Sequence, residues 1–147
     1  DEELLKTNIE EISLQDMLAD LTADNDRIRL HTQESGTPAT LQANSYLLKI
    51  ALKNIIDNAC KYSEKEVDII LSRINQQVVI EIEDRGIGIP QEEIEHIFQS
   101  FYRGSNTHDY AGQGIGLSLA LKIISAYNGK LEISSEIEKG TKVRVIF

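Results

Sequence analysis

Between Asn44 and Ser63 the apolar positions recur at helical spacing. At ~100° per residue, Leu48, Ala51, Leu52, Ile55 and Ala59 gather on one side as a core stripe. Lys49, Lys53 and Asp57 lie on a second side and face water. Asn54, Asn58 and Lys61 fall within ~60° of one another on a third strip. An ordinary surface helix fills its outer face with Glu, Lys and Arg. Amides are poor interior helix formers, so two of them at i and i+4 ask for another reason. A solvated polar strip is one answer. A hard cation with a phosphate chain beside it is the other, since amide oxygen suits Mg²⁺ and Lys suits phosphate.

The same pattern reading covers the rest of the chain. Residues 1–10 resemble the tail of a preceding helix or a linker. Ser13 is placed to cap a helix over about 14–23, with Leu14, Met17, Leu18 and Leu21 on one face. Arg27 to His31 alternates as a strand does, 34–40 is a loop around Gly36 and Pro38, and Leu41 to Ala43 is a short strand. Asn44 caps the helix described above. Val67, Ile69 and Leu71 alternate with polar or outward positions, as do Val78, Ile80 and Ile82, and Ile74-Asn75-Gln76 joins them as a hairpin with one buried face. A short helix near 91–97 follows Pro90. Residues 99–112 are polar and unpatterned, as in a functional lid or a disordered segment; with little to bury, 104–112 is expected to be mobile, and Phe98 and Phe101 to pack at the base. Gln113 to Asn128 is periodic again, with Leu117, Ala120, Leu121 and Ile124 inward and Gly129 ending it. Lys130 to Ser135 and Thr141 to Phe147 close the chain as a hairpin around Gly140. There is no regular βαβ beat, so one mixed sheet covered by helices on one face suits this order.

Composition narrows the functional classes. The 147 residues are one domain by length, and 41% hydrophobic with 27% charged is enough for a packed core. A net charge of −9 without any basic run argues against broad nucleic-acid binding. Bound phosphate would then need local help from a few cations, a metal and backbone N–H groups. No run of 18 apolar residues and no signal-peptide pattern occurs, so no membrane contact is expected of this segment. The single cysteine, Cys60, forms no internal disulfide, which fits a reducing cytosolic compartment. Starting at Asp1 without Met and ending on an apolar strand, the chain reads as part of a longer protein.

Two glycine motifs carry further chemistry. Asp84 to Pro90, Asp-Arg-Gly-Ile-Gly-Ile-Pro, follows a strand directly. Its glycines let backbone approach a ligand, and a carboxylate there accepts from an exocyclic amine; an Asx turn explains the same residues structurally. Gly112 to Leu117, Gly-Gln-Gly-Ile-Gly-Leu, opens a helix, where free N–H groups form an anion site; a hinge is the plain alternative. Arg103 is placed to reach a terminal phosphate or to stand in solvent. His31, His96 and His108 are isolated from each other, and no Ser-His-acid set is legible.

Order and spacing together are more specific than any one motif. Asn-Ile-Ile-Asp-Asn-Ala-Cys-Lys-Tyr-Ser, Asp-Arg-Gly-Ile-Gly-Ile-Pro, Phe-Gln-Ser-Phe-Tyr-Arg-Gly, Gly-Gln-Gly-Ile-Gly-Leu and Lys-Gly-Thr, in that order, resemble the N, G1, F, G2 and G3 boxes of sensor histidine kinases. The resemblance covers about residues 12–147, leaving 1–11 as a linker or the end of a dimerisation helix. It implies the Bergerat fold, an α/β (α+β) two-layer sandwich with a mixed sheet. It implies ATP and Mg²⁺ as ligands, and a protein-histidine kinase domain that presents the γ-phosphoryl group to a histidine on a separate dimerisation domain. A response regulator would act downstream, with dimerisation confined to the full-length protein, and the segment would be the cytoplasmic part of a membrane-bound bacterial sensor.

By position, the resemblance gives Asn58 to Mg²⁺ and Asn54 to phosphate support. Lys61 would contact phosphate and Tyr62 the sugar or base. Asp84 would accept from the adenine amine, with Gly86 and Gly88 letting the base in. Arg103 would approach the γ-phosphate. Gly112, Gly114 and Gly116, with Leu117, would wrap the phosphates, and Gly140 and Thr141 would complete the adenine end. Chaperones, type II topoisomerases and mismatch-repair ATPases of the same fold use a Glu where Asn54 stands. An amide is no general base for water, which favours transfer over hydrolysis. Residues 105–111 carry no Lys or Arg, unlike some relatives. A non-catalytic nucleotide-sensing or partner-docking module is the alternative.

Overall fold

The computed structural model describes residues 2–33, 38–96 and 116–147. Its centre is the hairpin of β4 (Val67–Ile74) and β5 (Gln77–Glu83). Asn75 and Gln76 both adopt positive φ, at 52° and 70°, which gives the tight turn whose twist matches the flanking strands. The register sets Ile69 opposite Ile82 and Leu71 opposite Ile80, so the apolar sets of both strands share one face. β7 (Gly140–Ile146) extends this face with Val143 beside Ile82 and Val145 beside Ile80. β6 (Lys130–Glu136) adds Ile133 and Leu131, and β2 (Ile28–Thr32) joins the other edge parallel to β4. The order is β2-β4-β5-β7-β6, a mixed five-stranded sheet.

Helices cover only the apolar face. α2 (Leu14–Thr22) starts at Ser13, whose hydroxyl accepts the N–H of Asp16. α3 (Ser45–Lys61) buries Leu48, Ala51, Leu52, Ile55, Ile56 and Ala59 against the sheet. Lys49, Lys53 and Asp57 are exposed, as their positions on the helical wheel require. α4 (Gly116–Ala126) contributes Ala120, Ile123 and Ile124. Leu121, expected inward, is half-exposed, and Ile123 takes the buried place. The opposite sheet face is polar, with Arg144 standing between Glu81 at 3.2 Å and Glu132 at 3.3 Å. The result is a two-layer α+β sandwich, as the element order implied.

Three local features depart from the sequence pattern. Ile9–Ser13 is a strand, β1, paired antiparallel with β3 (Thr40–Asn44), where a linker was expected; the short helical turn α1 (Glu2–Leu5) precedes it. The short helix after Pro90 is a 3₁₀ segment, Gln91–His96. At the end of α4 the left-handed residue is Asn128 (φ 64°), not Gly129. Gly129 N–H donates to the Ile124 carbonyl and Asn128 N–H to that of Ser125, a Schellman motif. Glycine at 129 answers a steric demand, because a Cβ there would lie 2.7 Å from both Ile124 and the Phe147 ring.

α3 and α4 run antiparallel and are joined at two points, the start and the middle of α3. At the first the Tyr127 hydroxyl accepts the Asn44 N–H (3.2 Å) and donates to the Leu5 carbonyl (2.9 Å). Asn44 also caps α3 by accepting the Leu47 N–H (3.1 Å), and its amide donates to the Thr7 carbonyl (3.0 Å). At the second Asn54 donates to the Gly116 carbonyl (3.4 Å). Removing the cap and the tie together in Asn44→Ala should lower stability by about 1–2 kcal/mol in urea unfolding. Asn44→Asp keeps the cap acceptor and loses the donor to Thr7, so its midpoint should fall between. An Asn44→Ala midpoint equal to wild type would refute the assignment.

Candidate functional site

Alternation along β5 turns Ile80, Ile82 and then Asp84 toward the helices. Asp84 is 8% exposed, just past the strand end. Its N–H donates to the Thr141 carbonyl (2.9 Å). Its Oδ1 accepts the N–H of Gly86 (2.9 Å) and that of Thr141 (3.3 Å). The Asx turn is therefore present, but it occupies one carboxylate oxygen. Among the described residues no donor reaches Oδ2, so that oxygen remains for a ligand.

Glycines let three backbone segments meet around this carboxylate. A Cβ on Gly86 would sit 1.9 Å from the Tyr62 carbonyl oxygen. One on Gly140 (φ 128°) would sit 2.0 Å from the Asp84 carbonyl oxygen. One on Gly88 (φ 74°) would sit 2.2 Å from the Glu136 carbonyl oxygen. Real side chains fit at none of them. The contacts are closed by Ile87 N–H to Tyr62 O (3.2 Å) and Glu138 N–H to Ile87 O (2.8 Å). Gly116 differs, since a Cβ there would only touch Asn54 at 3.6 Å, an ordinary contact.

From this carboxylate the site runs along α3. Tyr62 caps the C-terminus of α3, its N–H donating to the Asn58 carbonyl, and the Lys61 ammonium lies 5.8 Å above its ring. Asn58 is half-buried one turn back, and Asn54 a further turn back meets the start of α4. Tyr62 to Asn54 spans eight residues of helix, on the order of 12 Å. The structure thus gathers Asp84, Gly86, Gly88, Tyr62, Gly140 and Thr141 at one end and Asn54 and Gly116 at the other, with Asn58 between them. Leu117 follows Gly116 and packs partly against the core. Arg103, Gly112 and Gly114, the aromatic lid base and the lid lie outside the described residues, as does His108.

Two residues with no motif contribute. Arg27 holds the end of α3, donating to the carbonyls of Cys60 (2.9 Å) and Ser63 (2.6 Å), where a cation also complements the helix dipole. Ser135 joins the Asp84–Ile89 loop to Thr141 through its hydroxyl. Its signal in sequence was faint: Leu131, Ile133 and Ser135 share the inward register of β6, and only Ser135 is polar. Among the described residues no cluster of His, Cys, Asp or Glu could hold a metal, and no helix is long and apolar enough to cross a membrane.

Burial pushes the Asp84 carboxyl up to about 6, against the lowering effect of the Gly86 and Thr141 N–H groups; the Glu83 charge adds to the rise. A raised acid makes the folded state bind more protons than the unfolded one. Stability therefore falls as pH rises from the ordinary value of 3.8 to about 6 and stays reduced above it. The burial of charge costs roughly 2–3 kcal/mol at neutral pH. Asp84→Asn should accordingly be the more stable protein without ligand at pH 8, its advantage vanishing below about pH 4, in urea midpoints taken across pH. A pH-independent difference would show that the carboxylate is not the source.

The model of the family described as histidine kinase-, DNA gyrase B-, and HSP90-like ATPase matches residues 43–147. The signal transduction histidine-protein kinase ArlS of Staphylococcus haemolyticus is 40% identical over 79% of this chain and 26% of its own length. ArlS of Staphylococcus aureus (strain USA300) is 48% identical over 63% of this chain and 21% of its own. The chain thus spans about a quarter of the length of these curated relatives. Among solved structures, the mycobacterial sensor histidine kinase MprB superposes with a TM-score of 0.80 at 23% identity, covering 94% of this chain and 97% of that one. The catalytic domain of histidine kinase ThkA gives 0.78 at 20% identity, over 96% and 95%. Since the family model covers well over half of it, the chain belongs to the histidine kinase-, DNA gyrase B- and HSP90-like ATPase family, as an ATP-binding domain of the sensor histidine kinase kind.

Proposed function

We propose that this domain binds Mg·ATP with adenine at Asp84 and the phosphates along Asn58, Asn54 and the start of α4, and offers the γ-phosphoryl group to a histidine on a separate domain. The observation that carries this is the open Oδ2 of Asp84 in a wall of closely apposed backbone. A carboxylate oxygen that no protein donor occupies, on a side chain otherwise largely buried, is a ready acceptor, and an exocyclic amine answers it. Gly86, Gly88 and Gly140 let the main chain close beside this carboxylate, the Tyr62, Glu136 and Asp84 carbonyls lying where side chains would be. Lys61, at the end of α3, supplies positive charge beside Tyr62. In a chain of net charge −9 such local charge has to hold the anion.

The donor set fits magnesium bound mainly through phosphate and water. Asn58 offers one neutral amide oxygen, and Mg²⁺ keeps several waters when a nucleotide shares it. Bound there, the ion would neutralise charge on the phosphates. Asn54, held by its bond to Gly116 O, positions the phosphates but cannot activate water, so the nucleophile comes from elsewhere. Positioning and charge neutralisation carry most of phosphoryl transfer, which leaves the chain little covalent work. Arg103, Gly112 and Gly114 are assigned to the phosphates by resemblance. The parent protein is proposed to be a membrane-bound sensor whose dimerisation domain bears the acceptor histidine and whose product phosphorylates a response regulator. Residues 1–11 are proposed to lead in from that domain, and 12–147 to form the catalytic domain.

Thermal or urea stability with Mg·ATP and with ADP tests the binding. At ligand about a hundredfold above Kd the wild type should gain ~2.7 kcal/mol. Asp84→Asn should lose the gain with both nucleotides, and Asn58→Ala only the part that depends on magnesium. Radiolabel transfer from ATP to a purified histidine-bearing domain tests the chemistry. Binding without transfer would turn the reading to a sensing or docking module, and steady phosphate release without acceptor to an ATPase.

A further inference from the structure

Helix α3 ends without a left-handed stop. Its C-cap, Tyr62, has φ −98° and ψ 16°, and Ser63 after it has no positive φ, in contrast to Asn128 after α4. A helix end leaves its last carbonyls without partners inside the helix. At α4 the Schellman bonds take them. At α3 the Tyr62 N–H takes that of Asn58, and Arg27, just before β2, reaches in for others. One guanidinium nitrogen donates to the Cys60 carbonyl (2.9 Å), and the other to those of Ser63 (2.6 Å) and Lys65 (3.3 Å). The guanidinium is a rigid planar fork, so these carbonyls are held relative to one another.

Arg27 is itself fixed. Its N–H donates to the Asn25 side-chain oxygen (3.0 Å), and its carbonyl accepts the Val67 N–H (2.9 Å) at the start of β4. The fork therefore stands on the sheet and grips the helix end. A second grip comes from the loop after β5, where the Tyr62 carbonyl accepts the Ile87 N–H (3.2 Å) and the main chain of Gly86 lies against it. The two grips fall on different residues. The loop holds Tyr62, at the Asp84 end of the site. Arg27 holds Cys60 and Ser63, which bracket Lys61 and Tyr62. A cation at this place also offsets the negative pole of a helix end beside which an anion has to lie.

We propose that Arg27 is a positioning residue for the phosphate side of the nucleotide site: by spanning the carbonyls of Cys60, Ser63 and Lys65 it sets how the chain leaves α3, and so where Lys61 presents its ammonium. Arg27 acts through Lys61 and is assigned no contact with the nucleotide. The inference rests on the proposed placement of the phosphates beside α3. Without the fork Tyr62 keeps its clamp from Ile87, while Lys61 loses the fixed turn on which it stands.

The test measures Kd for Mg·ATP and for adenosine, which carries no phosphate. Arg27→Met and Arg27→Lys are each compared with wild type, alone and combined with Lys61→Met, at a temperature where urea midpoints show the variants folded. Arg27→Met should weaken Mg·ATP on the order of tenfold, the lower end of what a hydrogen bond to a charged group is worth, and leave adenosine unchanged. On the Lys61→Met background it should cost nothing further, since no ammonium remains to be placed. Arg27→Lys keeps the charge but offers one point donor in place of the fork, so it should recover only part of the loss; it carries the same comparison if Arg27→Met does not fold. If Arg27→Met lowers the urea midpoint but binds Mg·ATP as wild type does, or weakens adenosine as much as ATP, Arg27 is a structural tie only and the proposal fails. It fails too if the loss is as large without Lys61, or if Arg27→Lys restores binding in full, because charge alone would then account for it. If the wild type binds neither ligand, the nucleotide reading fails first and takes the proposal with it, a result distinct from tight Mg·ATP binding indifferent to Arg27.

Discussion

Main chain lying directly against main chain is the constraint on which this structure turns. Three glycines admit the Tyr62, Asp84 and Glu136 carbonyls to distances that exclude any Cβ. Those contacts bring the end of α3, the loop after β5 and the β6–β7 hairpin to one point. Asp84 is buried because they do, and its raised proton affinity follows from that burial. A carboxylate largely buried among main chain is costly in its charged form. In the proposed function the same carboxylate accepts from a ligand N–H group. The proposed function would explain that cost as stability given up for recognition, as is common where function is built into a fold.

The scaffold supplies that point with little elaboration. Alternation in β5 aims Asp84 inward, and the register with β7 sets Thr141 beside it. The helical repeat of α3 places Asn54 and Asn58 on the strip that faces neither the sheet nor solvent alone. The polar outer face, with Arg144 between two glutamates, leaves the helix-covered side as the one able to enclose a ligand. Site and core therefore share the same layer. The candidate site residues are those at which the apolar pattern stops.

Most of the fold was legible because its elements are strongly periodic. The α3 stripe, the β4–β5 alternation and the Asn75-Gln76 turn each follow from local chemistry. β1 was not legible, because Ile9-Glu-Glu-Ile12-Ser has only Ile12 buried and pairs at the edge of a two-stranded sheet. Its order depends on β3, a partner about thirty residues away in sequence. The shift from Leu121 to Ile123 at α4 reflects the wide stripe of a helix that packs on both α3 and the sheet. The motif glycines and Asp84 were visible as a constellation. Ser135 and Arg27 were not, since their roles lie in bonds to carbonyls and hydroxyls that only the folded register brings near.

The two ties between α3 and α4 have a mechanical meaning. Tyr127 and Asn44 fasten the end of α4 to the start of α3, and Asn54 in the middle of α3 fastens to Gly116 at the start of α4. Two rods pinned twice form a strut. Sliding one rod along the other by a turn would break both pins and shear the Ala120–Ile124 packing between them. From Asn44 to Asn54 the strut is ten residues, ~15 Å of helix. Its length is set by the rise of the helix and not by any loop. Residues 2–7, which bond to the first pin through Leu5 and Thr7, stand at a fixed distance from the amides at the second. Axial displacement of the first end has either to break the Asn54–Gly116 bond or to carry it along.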